Sequence, residues 1–263
     1  MPIKGAFIVP HPPMILTEIG RGSEIQIVDT INSYLRVTME LRSIQPDAVV
    51  IISPHAQMKP GSFVVSGGPK AFGSFADFGV PALKTRTDYD QELASAIVDL
   101  SNNKGIPSEL SEPGLLLDHA TMIPLIYFRG RDYEFKIVRI AFSEMTLETH
   151  YEFGRIIREA ADSLGKNVVV VASADLSHKL QKYGPYGFNE AGPIYDEMIR
   201  DICSRGALNE MVTFDNELRM NACECGHRSI TVLGGAIEGL DLKPKVHSYD
   251  YVTGVGYMVC EFI

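Results

Sequence analysis

Short β-branched runs that close on a histidine constrain this chain more than any other feature. Val49, Val50, Ile51 and Ile52 form an unbroken apolar run between Pro46-Asp47 and Ser53-Pro54. A run so short, bounded by turn residues, suits a strand buried on both faces of a parallel sheet. His55 follows just past its carboxyl end. The run NVVVVAS, Asn167–Ser173, repeats the design and leads through Ala174-Asp175-Leu176-Ser177 to His178. Gly5-Ala6-Phe7-Ile8-Val9 does so a third time, reaching His11 among Pro10, Pro12 and Pro13. In open α/β sheets the carboxyl edge is where ligands bind.

Helical patterns separate these strands. Ser23 to about Ile44 predicts a helix, with Ile25, Ile27, Val28, Ile31, Leu35, Met39 and Leu41 near helical spacing. Residues 61–81 read as a strand at Phe63-Val64-Val65 and then a long loop, and Asp88 to about Asn102 as a helix capped by Asp88 or Thr87. Gly114 to His119 leads into a helix carrying Met122, Leu125 and Ile126, with Pro124 early enough to be tolerated. A strand over Phe135–Phe142 precedes a helix over Leu147–Leu164 that Gly165 stops. Two helical stretches, 193–205 and 206–213, are followed by Cys223-Glu224-Cys225-Gly226, a helix from His227 to Ile237, and two strands around Thr253-Gly254. Alternating strands and helices, with no linker or repeat, predict an α/β fold. The expectation is one domain over 1–263, a three-layer sandwich with a mostly parallel or mixed central sheet.

Composition narrows the function. A hydrophobic share of 45% and a charged share of 22% are those of a globular chain. A net charge of −9 argues against nucleic-acid and anionic-membrane partners. No apolar run approaches the ~20 residues that span a bilayer, and the start lacks a signal-peptide profile. Four cysteines in a chain this long make no disulfide framework. A reduced, cytoplasmic protein is expected. The glycines match no phosphate-loop pattern.

Parallel strands bring their ends to one edge, so His11, His55 and His178 are expected to converge, and a metal would explain the convergence. Neutral imidazole is a common ligand of iron, zinc and copper. Two histidines and one carboxylate, with the opposite face open, make the geometry of non-heme Fe(II) oxygenases. Glu224, in a Cys/Gly turn before a helix, is the carboxylate candidate. Cys203 and Cys260 read as core residues. Tyr183, Tyr186 and Phe188 could line a pocket or pack a loop, and Arg228 could meet a carboxylate or form a structural ion pair.

The segments GAFIVPHPP, IISPHA, LLLDHATMIPL, VVASADLSHK and ECGHRSI, in that order, resemble the class III extradiol ring-cleaving dioxygenases. That superfamily includes the protocatechuate 4,5-dioxygenase catalytic subunit and the Memo-like proteins. The chain is most similar to the bacterial dioxygenase-like proteins that stand alone or are fused to an AMMECR-type domain. The resemblance implies that His11, His55 and Glu224 hold Fe(II), that His178 is the acid/base, and that His119 contacts substrate or oxygen. Asp175 and Ser177 would orient His178 or only close the turn. It implies a cytoplasmic dioxygenase inserting O2 into a catecholic ring beside the diol, a homodimer, and a possible AMMECR-type partner protein. One departure matters. Memo-like relatives have a cysteine matching Cys225, and a thiolate favours copper or zinc. The alternative is therefore a Memo-like metal-binding redox or interaction protein without ring cleavage.

Overall fold

The computed structural model describes residues 2–130 and 133–263. In chain order, β1 (Ile3–Val9) runs through a proline-rich turn to α1 (Thr17–Gly20) and α2 (Val28–Ile44). Then come β2 (Ala48–Ser53), β3 (Phe63–Val65), β4 (Lys70–Phe75), β5 (Val80–Asp88), α3 (Gln91–Asn103), β6 (Ser108–Leu110), α4 (His119–Arg129) and β7 (Lys136–Ala141). They are followed by α5 (Leu147–Ser163), β8 (Val168–Ser173), α6 (Ala191–Arg205), α7 (Asn216–Ala222), α8 (His227–Ile237), β9 (Pro244–Asp250) and β10 (Tyr257–Phe262).

The main sheet has the order β6-β3-β7-β2-β8-β1-β10-β9. Its centre, β7-β2-β8-β1, is parallel. β3 and β10 join it antiparallel, so the sheet is mixed. The valine-rich runs explain the layering. Val50, Ile52, Val168 and Val170 point to one side, where Leu93, Phe153, Tyr195 and Leu233 from α3, α5, α6 and α8 meet them. Val49, Ile51, Val169 and Val171 point to the other, against Tyr34, Val37, Met122 and Phe128 from α2 and α4. Every residue of β2 and β8 is buried. Each buried Val or Ile side chain among them contributes about 1.5–3 kcal/mol by leaving water. Helices, sheet and helices form the expected three-layer sandwich.

Two elements differ from the sequence expectation. The long loop contains an antiparallel hairpin of β4 and β5. Most residues of β5 are exposed or half-buried, so Lys84-Thr85-Arg86-Thr87 carries no apolar alternation to reveal a strand. Asp88 therefore ends a strand, and the cap of α3 is Asp90, which accepts from Leu93 N. The first predicted helix begins as a 3-10 turn, Ser23–Ile27, and turns α-helical at Val28. Its Ile25, Leu35 and Met39 face solvent. Among the described residues no helix is long and apolar enough to cross a membrane, and all four cysteines are free, with Cys203 and Cys260 in the core.

Candidate metal centre

The three strand ends meet where expected. β8 lies between β2 and β1, so the turns after them carry His178, His55 and His11 to one rim. From one face α4 adds His119 as its first residue, and from the other the turn before α8 adds Cys225. The ring centres of His11 and His55 are 5.1 Å apart, those of His11 and His119 5.5 Å, and His55 stacks on His119 at 4.5 Å.

His11 is the most constrained member. Tyr34 Oη donates to Pro10 O at 2.5 Å, and His11 N donates to Asp175 Oδ1 at 2.7 Å. Ser173 Oγ donates to Ala120 O at 2.6 Å, so it can only accept from His11 Nδ1 at 2.9 Å. The proton therefore sits on Nδ1, and the Nε2 lone pair faces the cluster, where a ligating imidazole needs it. Burial, then His55, His119 and His178, hold the His11 pKa well below its ordinary value. His178 follows the same logic. Nδ1 pairs with Leu176 O at 3.1 Å, which leaves Nε2 as an acceptor, and burial lowers its pKa. Burial lowers His55 as well and brings His119 to about 4. The cluster is a set of neutral bases.

The His55 and His119 turns are tied together by Asp118. Its Oδ1 accepts from Ser53 Oγ at 2.5 Å and from Thr121 N at 2.9 Å, so one carboxylate caps α4 and anchors the end of β2. An aspartate three residues before a threonine at a helix start was a readable capping signal. Ser173 gave no signal at all.

The thiol, not the neighbouring carboxylate, completes the cluster. Donor atoms of His11, His55 and Cys225 lie within 4.8 Å of one another, as do those of Asp175, His178 and Cys225. Cys225 Sγ is 3.5 Å from His11 Nε2. Glu224 is turned into the protein. Its Oε2 accepts from His227 N at 2.6 Å, and its Oε1 meets Arg219 Nη1 at 3.2 Å. Glu224 was expected beside the two histidines; in this structure both its oxygens are engaged elsewhere, one at the first amide of α8 and one with the buried Arg219. Asp175 also departs from expectation. It orients His11 rather than His178, and its Oδ2 stands 3.7 Å from His11 Nε2. Ser177 closes the turn, donating to Ala222 O. Burial raises Asp175 to about 7 and the Cys225 thiol well above its ordinary value.

Aromatic rings border the mouth. Phe78 meets His119 at 5.2 Å, and Tyr186 meets His178 at 5.0 Å. Tyr183 is fully exposed, and Phe188 is partly so. The donor set of two neutral imidazoles, a thiol and a nearby carboxylate fits a first-row transition metal, with the thiol favouring copper or zinc.

A family model described as the catalytic LigB subunit of aromatic ring-opening dioxygenase matches residues 5–260. A protein of Clostridium acetobutylicum is 33% identical over 98% of this chain and 57% of its own length. A MEMO1 family protein of Pyrococcus furiosus is 28% identical over 58% of this chain and 56% of its own. This chain thus spans little more than half the length of either. The 2-aminophenol 1,6-dioxygenase beta subunit of a Pseudomonas species is 23% identical over 99% of this chain and 93% of its own. An uncharacterized protein from Escherichia coli K12 shares the fold, with a TM-score of 0.66, 16% identity and 98% of each chain covered.

Proposed function

Because the chain belongs to the family of the catalytic LigB subunit of aromatic ring-opening dioxygenases, we propose that it is a metal-dependent oxidoreductase that opens a catechol-type ring with O2. The convergence of His11, His55 and Cys225 beneath His119 and His178 carries the reading. His11, His55 and Cys225 would hold the metal, with Asp175 beside them as an oxygen donor. A bound metal would lower the pKa of a coordinated hydroxyl and activate oxygen.

The protein's own groups supply the rest. Neutral His178, its Nδ1 fixed on Leu176 O, presents Nε2 to accept a proton from a ring hydroxyl. The low pKa of His119 keeps it uncharged, as a hydrogen-bond partner rather than a cation. Phe78 and Tyr186 offer flat apolar surface to a ring. A homodimer and an AMMECR-type partner protein belong to the same proposal.

The test is anaerobic loading with Fe(II), followed by catechol and air. Ring-opened, coloured product is expected, and His178→Ala should keep the metal and lose turnover. Metal uptake that survives replacement of His11 and His55 together would overturn the ligand assignment. The thiol at the ligand position favours a second reading, a MEMO1-like metal-binding protein without ring cleavage. Tight Cu or Zn binding with no product from any catechol would favour it.

A further inference from the structure

The base of the β4–β5 hairpin and the start of β7 enclose a cavity of about 540 Å3, a size typical of small-molecule sites. β7 begins at Lys136, level with Ala48 on β2, whereas the metal-centre histidines follow the opposite ends of the parallel strands. The length of β2, about 16 Å, therefore separates this cavity from the histidine rim.

Strand register sets one wall. Across the hairpin Lys70 pairs with Asp88, and Phe72 with Arg86. Directly opposed residues share a face, so these four side chains stand together on the outer face, all of them exposed. Lys70 Nζ meets Asp88 Oδ1 at 3.7 Å, and the Phe72 ring is left 56% exposed. Arg129, the last residue of α4 and only 8% exposed, forms the floor. Its Nη1 donates to Arg86 O at 2.5 Å, and its Nη2 donates to Thr87 Oγ1 and Phe135 O. The guanidinium thus pins the hairpin to the approach to β7.

The charge of Arg129 is poorly neutralised. Glu134 lies 3.2 Å from Nη2, but its side chain is 83% exposed, where an ion pair is worth little. The buried Nε has no partner, and burial lowers the pKa of the group. Arg86 and Lys136 are exposed and form no ion pair among the described residues. The cavity therefore gathers four cations against two carboxylates in a chain of net charge −9. A concave basic patch of this kind concentrates anions. Two unpaired cations beside a buried guanidinium suit a dianion better than a singly charged carboxylate, and a bare aromatic face beside them offers a surface for stacking.

We propose that this cavity binds a phosphate ester carrying a planar ring, with the phosphate among Arg86, Arg129 and Lys136 and the ring on Phe72. The site stands apart from the metal centre and does not depend on the reaction run there.

Calorimetry on the whole chain, loaded with Zn2+, compares AMP, adenosine and ribose 5-phosphate. AMP should bind about tenfold or more tightly than adenosine and about fivefold or more tightly than ribose 5-phosphate. Arg86, Lys136 and Phe72 are exposed, so their replacement spares the core. Arg86→Gln combined with Lys136→Gln should weaken AMP about tenfold or more. Phe72→Ala should weaken AMP about fivefold or more and leave ribose 5-phosphate unchanged. No binding of AMP, or equal affinity for AMP and adenosine, would overturn the proposal. So would AMP binding that survives the double variant but is lost in His11→Ala, since the phosphate would then sit on the metal. AMP affinity unchanged in Phe72→Ala would overturn the placing of the ring.

Discussion

Glu224 and Cys225 are adjacent in the chain and opposite in use. Glu224 sits among Arg219 and the first amide of α8, whereas the Cys225 sulfur meets His11 Nε2. Glu224→Gln should keep metal uptake and cost about 1–3 kcal/mol of stability, since charged hydrogen bonds become neutral ones. Cys225→Ser should keep the fold and weaken metal binding about 100-fold or more, beyond what loss of an outer-shell partner costs. Metal titration and denaturant melts on the two variants check both, and the reverse pattern would restore the carboxylate as ligand. Asp175 offers a pH test in the metal-free protein. Burial raises its folded pKa to about 7, so folding favours the protonated acid. Its stabilising contribution is complete below the unfolded value near 4 and is lost as pH rises to about 7. Asp175→Asn should accordingly match the parent only below about pH 4 and exceed it by about 1–4 kcal/mol near pH 8. Melts across about pH 3.5–8 read this directly, and a constant difference would refute it.

At the scale of elements, the site depends on how closely α8 approaches the strand ends. Gly226 allows that approach. A Cβ there would lie 2.5 Å from Ala174 Cβ and 2.8 Å from Asp175 O, while its φ of −97° suits any residue. Gly226→Ala should cost about 1–3 kcal/mol through overpacking and weaken metal binding about tenfold or more by displacing Cys225. Gly61→Ala, where nothing lies within 4 Å, is the neutral control. Equal metal affinity in both variants would show that the turn gives way elsewhere. The elements that built this rim were readable from sequence because their signals are local. The β2 and β8 runs are apolar on both faces, and α8 begins and ends at the residues predicted. The orientation of Glu224 was not readable, since it depends on Arg219 packing under α8, a contact between separate elements. The pairing of Asp175 with His11 was equally hidden, because it joins turns 164 residues apart in the chain. The β4–β5 hairpin escaped for another reason. β4 does alternate in burial, but it turns Gly73 inward and Phe72 outward, and β5 buries only Thr87, so neither strand shows an apolar period in its sequence.

For the whole molecule, the position of the donors along the chain sets a thermodynamic consequence. His11, His55 and Cys225 come from β1, β2 and the turn before α8, and only the assembled sheet brings them within reach. The unfolded chain would have to close very long loops to gather them, so an ion at this site binds the folded state alone. Binding then adds RT ln(1 + [L]/Kd) to stability, about 2.7 kcal/mol at a free metal concentration of 100 times Kd. At about 2–4 °C per kcal/mol for a chain of this size, the melting midpoint should rise by roughly 5–10 °C. His178→Ala should retain the whole rise, because its ring serves proton transfer rather than ligation in this reading. His11→Ala should lose it, and adding a chelator to the parent protein should return the midpoint to the metal-free value. A scanning-calorimetry series with Zn2+ separates these cases without any turnover assay. A midpoint that climbs equally in His11→Ala would place the ion elsewhere on the surface and remove the shared rim as the centre of function.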